Sequence, residues 1–252
     1  SRLPMHNQFE LIIPCKEELN NLLVIIPKVR EICDYPILII DKSSDKEFLE
    51  LQNFVSKFEN IKLHSQKSDG KGNALREAAI LSNSNIIIFF DADGSHNPND
   101  IPFLVHPFEL DSEIHHVGGS RMLGGSDELY SDFQHFIRLL GSLTINILIN
   151  FKFNVKITDY QNGFRAIKRS IFLDLATKSN HTSIEQEMVS RTLSQGYNYA
   201  EVPTHEWSRI SGHSKVKLTK HSLSYIVSLF SVMFYRKKNY YIKIKSFNKN
   251  WY

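Results

Sequence analysis

The sequence predicts an α/β protein with a mainly parallel sheet and helices on both faces. Three observations predict it. Short apolar runs alternate with stretches of helical period four times over about the first ninety residues. Two of the runs, YPILIID and NIIIFFD, end in Asp41 and Asp91, which parallel strands place on one edge. Between them, Gly70-Lys71-Gly72 opens a helix.

In chain order, Phe9 to Pro14 (FELIIP) is a short apolar run ended by proline, a first strand. Leu22, Leu23, Ile25, Ile26 and Val29 set a helical period over Leu19 to Val29. The second strand runs from Tyr35 to Asp41, a helix covers Lys46 to Phe58, and a weaker strand covers Ile61 to His64. A helix from Gly70 through Ile80 precedes Ile86 to Phe90, five apolar residues that read as a strand buried on both faces. Ile101 to Leu110 is helical, His115 to Gly119 a strand, and Leu129 to Phe151 a long helix of interior or amphipathic type. A turn over Asp159 to Arg165 leads into a short strand, and helices follow at Ile171 to Ala176 and Ile184 to Leu193. Tyr197 to Pro203 reads as an edge strand because it ends in proline.

The chain has 252 residues, enough for one large or two small domains, with the ordinary hydrophobic content of a globular protein. Cys15 and Cys33 match no metal spacing, and with no signal peptide they are expected as reduced thiols in a cytosolic protein. The charge is uneven. Trp207 to Tyr252 holds ten Lys or Arg and no Asp or Glu, leaving 20 positive against 27 negative charges before it. Such a tail is expected to face something anionic, nucleic acid and a membrane surface both qualifying, unless it is simply solvated. Leu223 to Tyr235 (LSYIVSLFSVMFY) is too short to cross a bilayer. Flanked by basic residues and followed by Tyr240, Tyr241 and Trp251, it is written as an interfacial helix would be, and equally as a core helix with a basic tail. The division expected is a main domain over 1–216 and a basic helical tail over 217–252.

Asp91-Ala92-Asp93 puts two carboxylates at a strand end, where they can share a divalent cation that itself holds phosphate oxygens. A solvated turn with capping aspartates would suit Gly94 and Asn97-Pro98-Asn99-Asp100 as well.

Several stretches together resemble family 2 glycosyltransferases of the GT-A fold, nearest to the dolichyl-phosphate mannose synthase-like branch. They are IIPCKEELNNL, DGKGNALREAA, FFDADGSHNP, GGSRMLGG, DYQNGFRAIKRS and EQEMVSRTLSQGYNYAEVPTHEWSRISGHSK, in the family's order from Phe9 to about Phe230. The resemblance implies transfer of a hexose, mannose or glucose, from a GDP- or UDP-linked sugar to a polyprenyl phosphate, with inversion and with Mg2+ or Mn2+. It places the protein peripherally at the cytoplasmic face of a membrane, with no nucleic acid partner.

The resemblance also assigns roles. Asp93 would ligate the metal with Asp91 beside it, and Ser95 stands where close relatives carry a Gln, a hydroxyl being a poorer and shorter ligand. Pro14, Glu18, Asp41 and Lys71 would line the donor side. Arg121 and Arg138 would hold the acceptor phosphate and Arg165 a phosphate nearby, although Arg138, inside an apolar helical pattern, suits a surface ion pair too. Arg209 and Lys215, hinged at Gly212, would close over both phosphates. Two features depart from the pattern. Lys42 replaces an Asp that reads the nucleobase, and a lysine cannot accept from a ring N–H. Glu185 and Glu187 lie where hydroxyl-glycosylating relatives keep a catalytic acid, although Glu187 also has a counterpart in phosphate-using relatives and is expected as a structural acid. A glycan or protein hydroxyl acceptor, or a silent nucleotide-sugar binder, are therefore the alternative readings.

Overall fold

The computed structural model describes residues 8–127, 133–210 and 244–246, with the backbone alone for 133–140, 244 and 246. Eight described strands form one sheet: β1 (Phe9–Cys15), β2 (Ile37–Asp41), β3 (Ile61–Ser65), β4 (Ile86–Phe89), β5 (His116–Ser120), β6 (Arg165–Lys168), β7 (Tyr199–Pro203) and β8 (Ile244–Ser246). Their spatial order is β3-β2-β1-β4-β6-β5-β7-β8. The helices are α1 (Leu19–Ile32), α2 (Asp45–Val55), α3 (Lys71–Leu81), α4 (Ile101–Leu110), α5 (Arg121–Gly124), α6 (Phe133–Phe153), α7 (Arg169–Asp174) and α8 (Ile184–Gln195).

Alternation along the central strands feeds two cores. Ile86, Ile88 and Phe90 join Leu11, Ile13, Leu22 and Leu104 on one face, while Ile87 and Phe89 join Ile12, Ala78, Phe172 and Met188 on the other. β4 is therefore buried on both faces, as its unbroken apolar run predicts. A third cluster, with Ile149, Phe153, Tyr160, Leu193 and Tyr199, seats α6 against α8 and β7.

Topology decides where the site lies. The chain winds outward from β1 to β3 and returns to pair β4 with the other side of β1, so the strand order reverses between β1 and β4. Ligands bind at the carboxyl edge of such a switch point. β6 is antiparallel to both β4 and β5, so β5 and β7 run the same way as β4. The ends of β1, β2, β4, β5 and β7 and the start of β6 thus share one edge, which gathers the acidic motif, the Gly-Lys-Gly helix start and the later arginines.

Two expectations need correction. β7 is not an edge strand, because Tyr199, Ala200 and Glu201 pair in parallel with Ile244, Lys245 and Ser246. Pro203 lies beyond that pairing, so its missing N–H costs β8 nothing. The tail accordingly contributes a strand to the sheet; most of the expected interfacial segment, Leu223 to Tyr235 included, lies outside the described residues. The long helix buries Asn146, Ile149 and Phe153 on its inner side, while the apolar Ile147 and Phe151 stand 67% and 86% exposed. Among the described residues, no helix is long and apolar enough to cross a membrane.

Candidate active site

The acidic motif leaves β4 directly. The Asp91 backbone N–H donates to His96 Nδ1 at 3.0 Å, and the imidazole stacks on Phe164 with ring centroids 4.6 Å apart. Burial holds the His96 pKa below the ordinary imidazole value, so a neutral ring accepts that bond. At Gly94 φ is +81°, and a Cβ there would meet Ile210 Cδ1 at 2.6 Å, so the turn needs glycine on both counts. Ser95 donates its hydroxyl and its N–H to Asp93 Oδ1 at 2.7 and 3.0 Å. Its hydroxyl is committed to orienting Asp93 rather than turned outward as an independent ligand.

Cations meet both aspartates. Lys71 Nζ lies 2.6 Å from Asp91 Oδ1 and 2.6 Å from Glu185 Oε1. Burial opposes the charge on Asp91, but Lys71, with His96 and Arg209 behind it, outweighs that and brings its pKa down to about 2. Burial likewise favours a neutral Lys71, yet Asp91 and Glu185 hold the ammonium charged, above the ordinary lysine range. Burial lifts Glu185 above the ordinary carboxylate range in spite of Lys71. Arg209 Nε stands 3.3 Å from Asp93 Oδ2. The segment after β7 is laid along the motif by backbone bonds from Trp207 N to Ser95 O (2.8 Å) and Ile210 N to Asp93 O (3.2 Å).

On the far side of β6, Arg121 follows β5. Its Nε and Nη2 donate to Asp159 at 2.8 and 3.1 Å, and its Nη1 to Glu206 at 3.2 Å. The backbone N–H groups of Asp159 and Thr158 donate to the buried Glu201 carboxylate at 2.9 to 3.0 Å. Burial pushes Glu201 up to about 7.

The structure thus brings Asp91, Asp93, Ser95, Lys71, Arg121 and Arg209 to one edge. Glu18 starts α1, its carbonyl accepting from Leu22 N at 3.0 Å and its carboxylate from the Asn21 amide. Pro14 is half-buried inside β1, opposite Ile40. Asp41 is buried and accepts from the Ser43 hydroxyl at 2.6 Å. Lys42 donates to the carbonyls of Gln66 and Lys67, so its charge is turned onto the end of β3. A cleft of about 250 Å³ beside these strand ends is lined by Glu17, Glu18, Glu47 and Glu50 with Lys46 among them, a wall of net negative charge.

Arg165 is the correction. Its side chain is fully buried and its guanidinium donates to the backbone carbonyls of Asn162, Tyr160 and Glu185, so it braces the loop before β6 and does not face a phosphate. Glu187 is a structural acid as expected, accepting from Lys178 N, Ser179 N and Arg191. The Arg138 side chain, Gly212 and Lys215 lie outside the described residues. His96, Asp159, Glu201 and Glu206 have no role in the sequence reading. The signal available for Asp159 and Glu206 is that an arginine at a strand end needs acids to aim it, but the sequence does not say which.

A divalent cation fits this donor set on one condition. Among the described residues no three His, Cys, Asp or Glu side chains cluster so as to hold a metal by themselves. One or two carboxylates suffice for Mg2+ when phosphate oxygens and water complete its shell, and Asp93 and Asp91 are carboxylates of the kind that can take that part.

The model of the family described as "Glycosyl transferase family 2" matches residues 10–175. Over 216 residues the chain is 26% identical to undecaprenyl-phosphate mannosyltransferase of Micrococcus luteus, covering 81% of this chain and 86% of that one. It is 25% identical over 216 residues to polyprenol monophosphomannose synthase of Mycolicibacterium smegmatis, covering 82% and 80%. Among solved structures, glucosyl-3-phosphoglycerate synthase from Mycobacterium tuberculosis, in complex with Mn2+, UDP and phosphoglyceric acid, superposes with a TM-score of 0.70. That match has 17% identity and covers 91% of this chain and 80% of that one, a likeness of fold in agreement with the expected GT-A architecture. With a family match across most of the chain, and with relatives named for the branch its motifs resemble, this protein belongs to glycosyl transferase family 2 and is a glycosyltransferase.

Proposed function

We propose that the protein transfers a hexose, mannose or glucose, from a GDP- or UDP-linked donor to a polyprenyl phosphate, with inversion, at the cytoplasmic face of a membrane. One observation carries the choice of acceptor. The two carboxylates placed to deprotonate a sugar hydroxyl are already engaged, Glu185 by Lys71 at 2.6 Å and Glu187 by two backbone N–H groups and Arg191. A hydroxyl nucleophile needs a general base, whereas a phosphate arrives ionised and needs only cations to hold it.

In this reading Arg121 receives the acceptor phosphate. Asp159 fixes the plane of its guanidinium, and the phosphate competes with Glu206 for Nη1. Arg209 turns from Asp93 to the donor phosphates, joined by Lys215 and, for the acceptor, by Arg138. A phosphate oxygen attacks the anomeric carbon as the bond to the diphosphate breaks on the opposite face, so configuration inverts and no group on the enzyme is glycosylated. Mg2+ or Mn2+ on Asp93, with Asp91 beside it, would supply Lewis-acid stabilisation of the leaving diphosphate. The exposed Ile147 and Phe151 of α6 and the eight cations of the tail over 217–252 support a membrane surface as the place where the lipid is met.

The test is product analysis with radiolabelled GDP-mannose and UDP-glucose and a short polyprenyl phosphate. An organic-extractable, acid-labile sugar lipid is expected. A water-soluble glycoside formed instead would overturn the acceptor, and nucleotide binding without turnover would leave a silent binder.

A further inference from the structure

We propose that Lys71 is the permanent counter-ion of Asp91, held by Glu185 as a positioning residue, so that the divalent cation is gripped through Asp93 and only loosely by Asp91. The inference rests on the metal-dependent reading above and deepens it. It gives Glu185 a task other than taking a proton.

Three elements build the arrangement. Lys71 is the first residue of α3, Asp91 follows β4, and Glu185 lies in the first turn of α8. The ammonium contacts both oxygens of Asp91, at 2.6 and 2.8 Å, and Glu185 Oε1 at 2.6 Å. The bridge is shut in, its side chains 16% exposed for Lys71, 23% for Asp91 and 5% for Glu185. Gly163 roofs it: a Cβ there would stand 2.8 Å from Asp91 Oδ2, 2.9 Å from Lys71 Nζ and 3.1 Å from Glu185 Oε1.

The helix start that presents Lys71 is fixed in place by its neighbours. The turn that carries it is docked on the strand-free stretch before α8 by Gly72 N to Asn180 O at 2.9 Å and Arg76 Nη1 to Ser179 O at 2.9 Å. A cation this close, in a shielded place, takes up much of the charge that Asp91 could offer a metal. Asp93 differs. It is met by Arg209 at the longer distance of 3.3 Å, from a segment attached by two backbone bonds. Affinity for the free ion is thereby kept low, and the ion enters and leaves with the nucleotide diphosphate that completes its shell.

The experiment titrates the full chain with MnCl2 alone, then with MnCl2 plus UDP or GDP, reading free Mn2+ by electron paramagnetic resonance. The informative variant is the double substitution Lys71→Met/Glu185→Gln, which removes one positive and one negative charge and preserves the net charge of the site. It should bind Mn2+ alone about tenfold more tightly than wild type, because Asp91 is released. Lys71→Met should move the same way. Glu185→Gln should bind about tenfold more weakly, since the whole ammonium charge then falls on Asp91. A double variant with wild-type or weaker affinity overturns the proposal, as does an unchanged Glu185→Gln, which would return Glu185 to the role of a base. Asp93→Ala in the same titration separates the two levels. Loss of Mn2+ binding there upholds the metal site whatever Lys71 does, and unaltered binding removes the metal site itself.

Discussion

At the residue scale, burial divides side chains that motif order alone makes equivalent. Asp93 and Arg165 both stand in runs that match the family, yet one keeps a carboxylate on the sheet edge and the other spends its guanidinium on three carbonyls under it. Asp93→Ala should therefore lower transfer by roughly a thousandfold while leaving the thermal midpoint within a few degrees; near-normal turnover would remove it from the reaction. Arg165→Met should do the reverse, costing about 3 kcal/mol of stability in urea unfolding because buried carbonyls lose their donors. Any surviving folded enzyme should keep its donor KM. The sequence shows which residue types reach the edge, since strand ends and glycine turns are local signals. It does not show what each one touches. Asp159 lies 38 residues from the arginine it aims and Lys71 lies 114 residues from Glu185, and no local pattern encodes such pairs.

At the element scale, the first ninety or so residues are the most legible part, because β1, β2 and β4 each send apolar residues into both cores and each helix keeps one buried stripe. β6 is the harder case. Its direction is invisible in RAIK, and only pairing between β4 and β5 reveals that the loop before it enters from the site edge. That loop depends on β7, where Glu201 receives the N–H groups of Thr158 and Asp159. With its pKa raised from 4.5 to about 7, Glu201 stays protonated in the folded protein where the unfolded chain has lost the proton. The stabilisation is complete below about pH 4.5 and disappears as pH climbs through about 7. Glu201→Gln should remove this dependence, so its unfolding free energy relative to wild type should rise from pH 5 to pH 8 by no more than about 3 kcal/mol. A difference that is flat or falls over that range would show that the carboxylate is not desolvated as its burial implies.

For the molecule as a whole, charge asymmetry is the feature most easily read and least easily assigned. One tail cation is already matched to the body, Lys245 lying 2.6 Å from Asp111. The tail is thus partly the counter-charge of the acidic body, and only the remainder is available to a lipid surface. Replacing Arg236, Lys237 and Lys238 by Gln should weaken sedimentation with vesicles containing anionic lipid by roughly a hundredfold at low salt, on about 1 kcal/mol for each basic residue near such a surface. An unchanged bound fraction would discard the electrostatic contact. The pairing of β8 with β7 also bears on how the protein can be shortened for crystallisation. A version trimmed before Ile244 would strip β7 of its neighbour and bare a row of amides and carbonyls that invites self-association into dimers or aggregates. Trimming after Ser246 would spare that seam, so the safe boundary for a shortened protein is set by a three-residue strand rather than by the charge pattern.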